Sequence, residues 1–218
     1  MEHDDWAELW SAGRIAFHQS DVNDFLTKYL QQACGDDIGR VYVPLCGKSL
    51  DMVFLAEHTD QVVGVEFVEQ GVADFFDERG LTPRIDTDPQ LRYTADKYSL
   101  FAADFFDLTK EHLGSIDAVF DRAALVALDA ETRVRYTEHL RSITRAGARM
   151  LLITFDYDQS AMDGPPFAIS PDEVERLYGD GFDIVHLETR EATDETFRSR
   201  GLPTITESAY ALTRHDRR

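Results

Sequence analysis

The chain alternates between short runs of β-branched apolar residues and longer stretches in which apolar positions recur every three or four. Val41-Tyr42-Val43 and Val62-Val63-Gly64-Val65 are continuous apolar runs, the pattern of strands covered on both faces. Between them Leu50, Val53, Phe54 and Ala56 fall at helical spacing, and the second run ends on Glu66. Together they make a strand, a one-glycine turn, a helix and a second strand, which is half of a nucleotide-binding α/β arrangement. Glu66 stands 19 positions after Gly47, close to the separation at which such a unit presents an acid to a ribose.

Upstream, Trp6 and Trp10 are one helical turn apart and Phe17-His18-Gln19 follows. Ser20 is the expected N-cap of a helix whose apolar stripe is Phe25, Leu26, Tyr29, Leu30 and Ala33 and which Gly35 ends. After Glu66 a helix carrying Val72, Phe75 and Phe76 stops near Gly80, and the polar, Pro-bearing segment Asp86 to Asp96 reads as a surface loop. A third strand spans about Tyr98 to Ala103 and runs into Asp104-Phe105-Phe106-Asp107. A fourth, Ile116 to Phe120, ends in Asp121-Arg122, with a helical Ala123 to Ala127 next. The amphipathic stretch Glu131 to Ile143 leads to a fifth strand, Arg149 to Thr154, and then to a loop from Asp156 to Phe167. A capped helix from Ser170 and two late strands, Phe182 to Leu187 and Ala209 to Thr213, complete the chain. The alternation predicts one mostly parallel sheet with helices on both faces and a site at the carboxyl ends of its strands.

Length and charge narrow the partners. A chain of 218 residues fits a single α/β domain, and one of this size buries roughly 70–75% of its unfolded surface. Its 41 acidic residues against 22 Lys plus Arg leave a net charge of −19, which repels polyanions and argues against nucleic acid. No apolar stretch is long enough to span a bilayer and the start is acidic, so a soluble, unexported, cytoplasmic protein is expected, with a monomer as the default. Cys34 and Cys46 form neither a pairing motif nor a metal spacing, so no metal is expected and both are read as reduced thiols. Four Lys against 18 Arg, and 26 Asp against 15 Glu, fit adaptation to a salty interior that screens carboxylate repulsion.

The turn after the first strand limits the ligand. A phosphate-binding loop ending in Gly47-Lys48-Ser49 needs a glycine at position 42, where Tyr42 stands. A dinucleotide fingerprint needs three glycines, and only Gly47 is present. A ligand with a ribose and no phosphate asks less of this loop, and S-adenosyl-L-methionine is one. Glu66 can accept from both ribose hydroxyls, Asp104 from the adenine amino group with Phe105 against the ring, and Arg122 can offer a fork to the tail carboxylate or to an anionic substrate. Duller readings stand beside these. Asp104 equally suits a cap on the turn to Asp107, Phe105 a core position, and Asp121-Arg122 a structural ion pair.

Trp10, Phe17-His18-Gln19, Pro44-Leu45-Cys46-Gly47-Lys48-Ser49, Val63-Gly64-Val65-Glu66, Asp104 to Leu108, Asp121 to Ala127 and Gly164-Pro165-Pro166-Phe167 together resemble the thiopurine S-methyltransferase family, in order over nearly the whole chain. The resemblance implies a single-domain class I, Rossmann-like methyltransferase fold. Its sheet would have seven strands with the last antiparallel, and residues 1–36 would form an N-terminal helical lid over a catalytic core, 37–218. It further implies that Trp10, Leu45, Gly47, Glu66 and Arg122 contact S-adenosyl-L-methionine, with Asp104 and Phe105 around the adenine and Phe17 lining the acceptor pocket beside His18.

The implied chemistry is methyl transfer to an aromatic or heterocyclic thiol, with selenium or tellurium species as further soft acceptors. Thiols ionise near neutral pH, so no strong base is demanded, and Arg122 can act catalytically by favouring the thiolate. The competing readings are a nicotinamide-dependent oxidoreductase and a non-catalytic nucleoside-binding module on the same plan.

Overall fold

A computed structural model describes residues 3–12 and 18–215. In chain order the elements are α1 (His3–Ser11), α2 (Asp24–Cys34), β1 (Ile38–Val43), α3 (Asp51–His58), β2 (Thr59–Glu66), α4 (Glu69–Asp77), β3 (Arg84–Asp86), β4 (Arg92–Ala95), β5 (Tyr98–Ala102), α5 (Lys110–Leu113), β6 (Ala118–Arg122), α6 (Ala130–Ile143), β7 (Arg149–Asp156), α7 (Pro171–Tyr178), β8 (Phe182–Glu191), α8 (Glu195–Ser199) and β9 (Thr206–Arg214). One sheet holds all the strands in the order β3-β4-β5-β2-β1-β6-β7-β9-β8. Its core runs β5 to β8: β5, β2, β1, β6 and β7 are parallel, and β9, the last strand of the chain, is inserted antiparallel between β7 and β8. This is the expected seven-strand arrangement, extended by a β3–β4 hairpin.

That hairpin corrects the reading of Asp86 to Asp96 as a loop. β4 pairs antiparallel with β5, and Tyr93 buries its ring against Phe76. The late strands are also longer than their apolar runs, because β8 and β9 pair from Phe182–Arg214 to Glu191–Thr206. The fourth strand starts at Ala118 and reaches through Asp121 to Arg122. Residues 123–127 contribute only a short 3-10 turn, Leu125–Ala127.

Alternation along the strands separates two cores, as the pleat requires. Val41, Val43, Val62, Leu100, Phe120 and Leu151 face α2, α3 and α4, where Leu26, Leu30, Leu55, Val72 and Phe75 cover them. Tyr42, Val63, Val65, Phe101 and Val119 face the other way, against Leu113 of α5, Tyr136 and Leu140 of α6 and Val174 of α7. Both faces being covered explains why the central strands carry no alternating polar residues.

Helix α2 starts later than the sequence suggests. Ser20 bonds to the Asp21 carboxylate, and the cap is Asn23, whose Oδ1 accepts from the N–H groups of Phe25 and Leu26. Asn23 is also tied elsewhere. Its own N–H donates to Asp51 Oδ1 at 2.8 Å, and its side-chain amide reaches Glu207 at 3.4 Å. The far end of α2 closes on Gly35 at φ 87°, as expected.

Candidate active site

At the carboxyl edge the chain leaves β1 and β6 in opposite directions, because β1 leads on to β2 at its outer side and β6 leads on to β7 at its own. A crevice therefore opens between the turns that follow these strands. Two residues there adopt left-handed backbone despite carrying side chains: Leu45 at φ 47° after β1 and Ala123 at φ 75° after β6. Each costs about 1–3 kcal/mol, and such strain concentrates where a backbone must meet a ligand. Gly47, at φ 51°, needs its missing Cβ for the same turn.

Glu66 closes the floor. Its residue is 8% exposed, its Oε2 accepts from Gly47 N–H at 3.0 Å and its Oε1 from Val68 N–H at 2.9 Å. Burial pushes the carboxyl above its ordinary range, and the N–H groups of Val68 and Gly47 pull it back. The β1 turn is also fastened to β2 by the Cys46 N–H to Val65 carbonyl bond at 2.8 Å.

Trp10 lies over this corner. The indole is buried, and a Cβ added to Gly47 would sit 3.5 Å from Trp10 Cζ2 and 3.9 Å from Glu66 Oε2. A Cβ on Gly71 of α4 would approach Trp10 Cζ2 at 2.8 Å and Glu66 Cγ at 3.0 Å. Trp10, Gly47, Glu66 and Gly71 thus form one packed wall, to which sequence reasoning supplied every member except Gly71.

Arg122 ends β6 with a side chain 9% exposed, and Asp121 and Arg122 do not pair with each other. Asp121 turns into the core, where it accepts from Tyr136 Oη at 2.7 Å and Leu125 N–H at 3.2 Å; burial pushes its carboxyl up to about 6. Arg122 faces Asp51, with Nη1 3.7 Å from Oδ2 of a carboxylate only 3% exposed. Asp51 was not foreseen, because an acid in the first turn of a helix ordinarily only complements the helix dipole.

Asp104 and Phe105 both serve the turn and the core around them. Asp104 Oδ1 caps the turn by accepting from Phe106 N–H at 2.8 Å. That 3-10 turn rotates the Phe105 ring into the core, 4.7 Å from Tyr136 and 4.9 Å from His139 by ring centroids. The ring is 5% exposed and offers no open stacking face. Phe17 lies outside the described residues.

His18 is half-buried, and its imidazole is lowered first by burial and then by the positive field of Lys48, with Arg79 and Arg122 adding to it and Glu78 opposing. Lys48 does not enter the crevice; its amine reaches Glu78 and lies 3.7 Å from Asp74.

The Gly164-Pro165-Pro166-Phe167 loop is pinned beside the β6 turn. Phe167 N–H donates to Val126 carbonyl at 2.7 Å, Tyr157 Oη to Pro166 carbonyl at 2.6 Å and Arg200 to Pro165 carbonyl at 2.9 Å. A cavity of about 530 Å³ opens by the start of α2, lined by Asn23, Phe155, Arg190, Phe197 and Glu207 among others. Its lining is strongly charged, with Asp24, Arg190, Glu191, Asp194 and Glu207 around it.

A model of the thiopurine S-methyltransferase (TPMT) family matches residues 1–215. The chain belongs to this family. A thiopurine S-methyltransferase of Nitrosospira multiformis is 46% identical, with 97% of this chain and 98% of the relative aligned, and one of Shewanella amazonensis is 41% identical over 98% and 100%. Among solved structures, a 1,6-didemethyltoxoflavin-N1-methyltransferase of Burkholderia thailandensis, with S-adenosylhomocysteine bound, matches with TM-score 0.67 at 15% identity, covering 98% of this chain and 87% of that one. An S-adenosylmethionine-dependent methyltransferase of Anabaena variabilis matches with TM-score 0.68 at 12% identity, over 98% and 95%. The fold is therefore that of class I methyltransferases. As a family member the chain is an S-adenosyl-L-methionine-dependent S-methyltransferase, and these relatives lend nothing to the nicotinamide or non-catalytic alternatives. Among the described residues no helix is long and apolar enough to cross a membrane.

Proposed function

We propose that the crevice over β2, β1 and β6 holds S-adenosyl-L-methionine and that the acceptor is the sulfur of an aromatic or heterocyclic thiol, thiopurines included, with selenium or tellurium species as further soft acceptors. The observation that carries this reading is the buried Glu66 carboxylate under Trp10. Its oxygens accept the N–H groups of Gly47 and Val68, with the Phe67 N–H a further donor to the carboxylate, and of a carboxylate's roughly four acceptor sites one is left for a ribose hydroxyl. When bound, the cofactor supplies a methyl group activated by a positively charged sulfur.

The chain's own residues do the rest by holding and excluding. Leu45 and Gly47 present backbone to the ligand, Trp10 closes the wall above it, and Arg122 offers a planar fork to the amino-acid tail. Asp104 has one carboxylate oxygen beyond its cap for the adenine amino group, and Phe105 contributes through the backbone of its turn rather than its ring. Phe17 and His18 would flank the acceptor within a lid formed by residues 1–36. The lowered His18 is neutral at pH 7 and orients the acceptor rather than attracting a thiolate by charge. Fixing acceptor and cofactor in line supplies most of the acceleration, since a thiol needs little help to ionise. Cys34 and Cys46, both free and buried, suit a reducing cytoplasm, and a monomer is the expected state.

Isothermal titration with S-adenosylhomocysteine tests the cofactor site, and methyl transfer to thiophenol and a mercaptopurine tests the acceptor. Glu66→Gln should bind the product about tenfold or more weakly, from one charged hydrogen bond of ~1.5–3 kcal/mol. Wild-type affinity in that variant would remove the ribose assignment. Arg122→Ala should move the pH profile of turnover upward if the guanidinium favours the thiolate; an unmoved profile at weaker cofactor binding confines Arg122 to the tail.

A further inference from the structure

Asp51 touches none of the proposed cofactor groups except Arg122, yet it is among the most enclosed charged groups of the described residues. Its Oδ1 takes the Asn23 N–H at 2.8 Å, its Oδ2 takes the Ser49 hydroxyl at 3.0 Å, and the Arg122 guanidinium stands 3.7 Å from that same Oδ2. An ion pair at 3.7 Å is too long to be a hydrogen bond, so the carboxylate compensates the arginine's charge without occupying its donors. Among the described residues no hydrogen bond from the Arg122 side chain is formed, although it is only 9% exposed. A nearly buried guanidinium with open donors and a fixed counter-ion is prepared for an anionic group arriving from the crevice.

The three partners of Asp51 come from three places: the start of α2, the turn after β1 and the end of β6. One carboxylate therefore sets where the arginine points and where α2 begins.

We propose that Asp51 is a positioning residue for S-adenosyl ligands: it holds the Arg122 fork in register with the carboxylate of the amino-acid tail and ties that register to the seat of α2. This rests on the cofactor reading above, in which Arg122 receives the tail.

The test compares S-adenosylhomocysteine with 5′-methylthioadenosine, which keeps the nucleoside and the sulfur and lacks the tail. Asp51→Asn preserves shape and the bond to Asn23 while removing the charge. It should weaken S-adenosylhomocysteine about tenfold or more and change 5′-methylthioadenosine less than about twofold. In an Arg122→Gln background the same change should add little, because its effect runs through the arginine. Equal weakening of both ligands would mean that Asp51 merely supports the turn, and unchanged binding of S-adenosylhomocysteine would also overturn the proposal. Should Asp51→Asn not fold, Ser49→Ala releases the carboxylate from its hydroxyl partner and should give the same selective loss at about threefold; no selectivity there is likewise fatal. If wild type binds neither ligand, the cofactor reading itself fails. If Glu66→Gln weakens both ligands, as loss of a shared ribose contact must, while Asp51→Asn weakens neither, only the role of Asp51 falls.

Discussion

Replacing Gly71 with alanine probes whether the N-terminal helix forms part of the binding wall. Gly71 lies inside α4 with ordinary helical backbone, so the substitution by itself favours the helix by roughly 0.5–1 kcal/mol. The added methyl, however, would stand 2.8 Å from Trp10 Cζ2, 3.0 Å from Trp10 Cη2 and 3.0 Å from Glu66 Cγ. Contacts that short are not tolerated, and overpacking of a fitted site costs about 1–3 kcal/mol. The side that yields is the indole, because Glu66 is held by two N–H groups and α4 by its own ladder. The expected outcome is a Trp10 ring lifted from Gly47, a red-shifted tryptophan emission as a buried indole meets water, and a melting temperature changed by no more than a few degrees. Losing one aromatic contact of about 0.5–1.5 kcal/mol should weaken S-adenosylhomocysteine roughly two- to tenfold in calorimetry. Unchanged emission together with wild-type affinity would refute the packing argument. A shifted emission with wild-type affinity would leave the packing intact and remove Trp10 from the ligand.

Two further outcomes follow from buried polar groups. Asp121 is raised to about 6 against an ordinary 3.8, so the folded chain holds its proton where the unfolded chain has released it. Stability from this group is complete below about pH 4 and is lost as pH rises to about 6, an effect on the order of 3 kcal/mol. Asp121→Asn should flatten that part of the melting-temperature profile, and a slope equal to wild type would show that other carboxyls produce it. Asn23→Ala removes a cap accepting two N–H groups and should lower stability by ~1 kcal/mol, or about 2–4 °C. Because the Asn23 bond to Asp51 is made by the backbone, binding of S-adenosylhomocysteine should stay within about twofold; a larger loss would mean that the side chain itself serves the site.

What the sequence reveals and what it hides divide along a physical line. The β1 to β2 unit, Glu66 at its end, Gly35 as a helix stop and Ser170 as a cap are local events, decided by residues within a few positions of one another, and the structure has them as expected. The misplaced cap is instructive. Ser20 and Asn23 are both competent, and the choice falls to Asn23 because Asp51, far along the chain, claims its N–H and Glu207, farther still, claims its amide. The β3–β4 hairpin escaped for the same reason: three residues, Arg84–Asp86, have little strand character until β4, itself laid along the edge of β5, offers them a ladder. At the site, Glu66, Gly47 and Arg122 were legible by position, whereas the direction of a side chain was not. A 3-10 turn of three residues decided that Phe105 belongs to the core, and the partner of Arg122 emerged only with the sheet assembled.

The left-handed backbone at Leu45 and Ala123 carries a consequence for how this enzyme can vary. Valine, isoleucine or threonine at either place would set a branched Cβ against its own carbonyl, so a library randomised at both should return glycine, asparagine and unbranched residues while discarding the β-branched ones. Substrate range can then be tuned by neighbouring side chains, but the two hairpin-sharp corners that frame the crevice admit only a narrow alphabet.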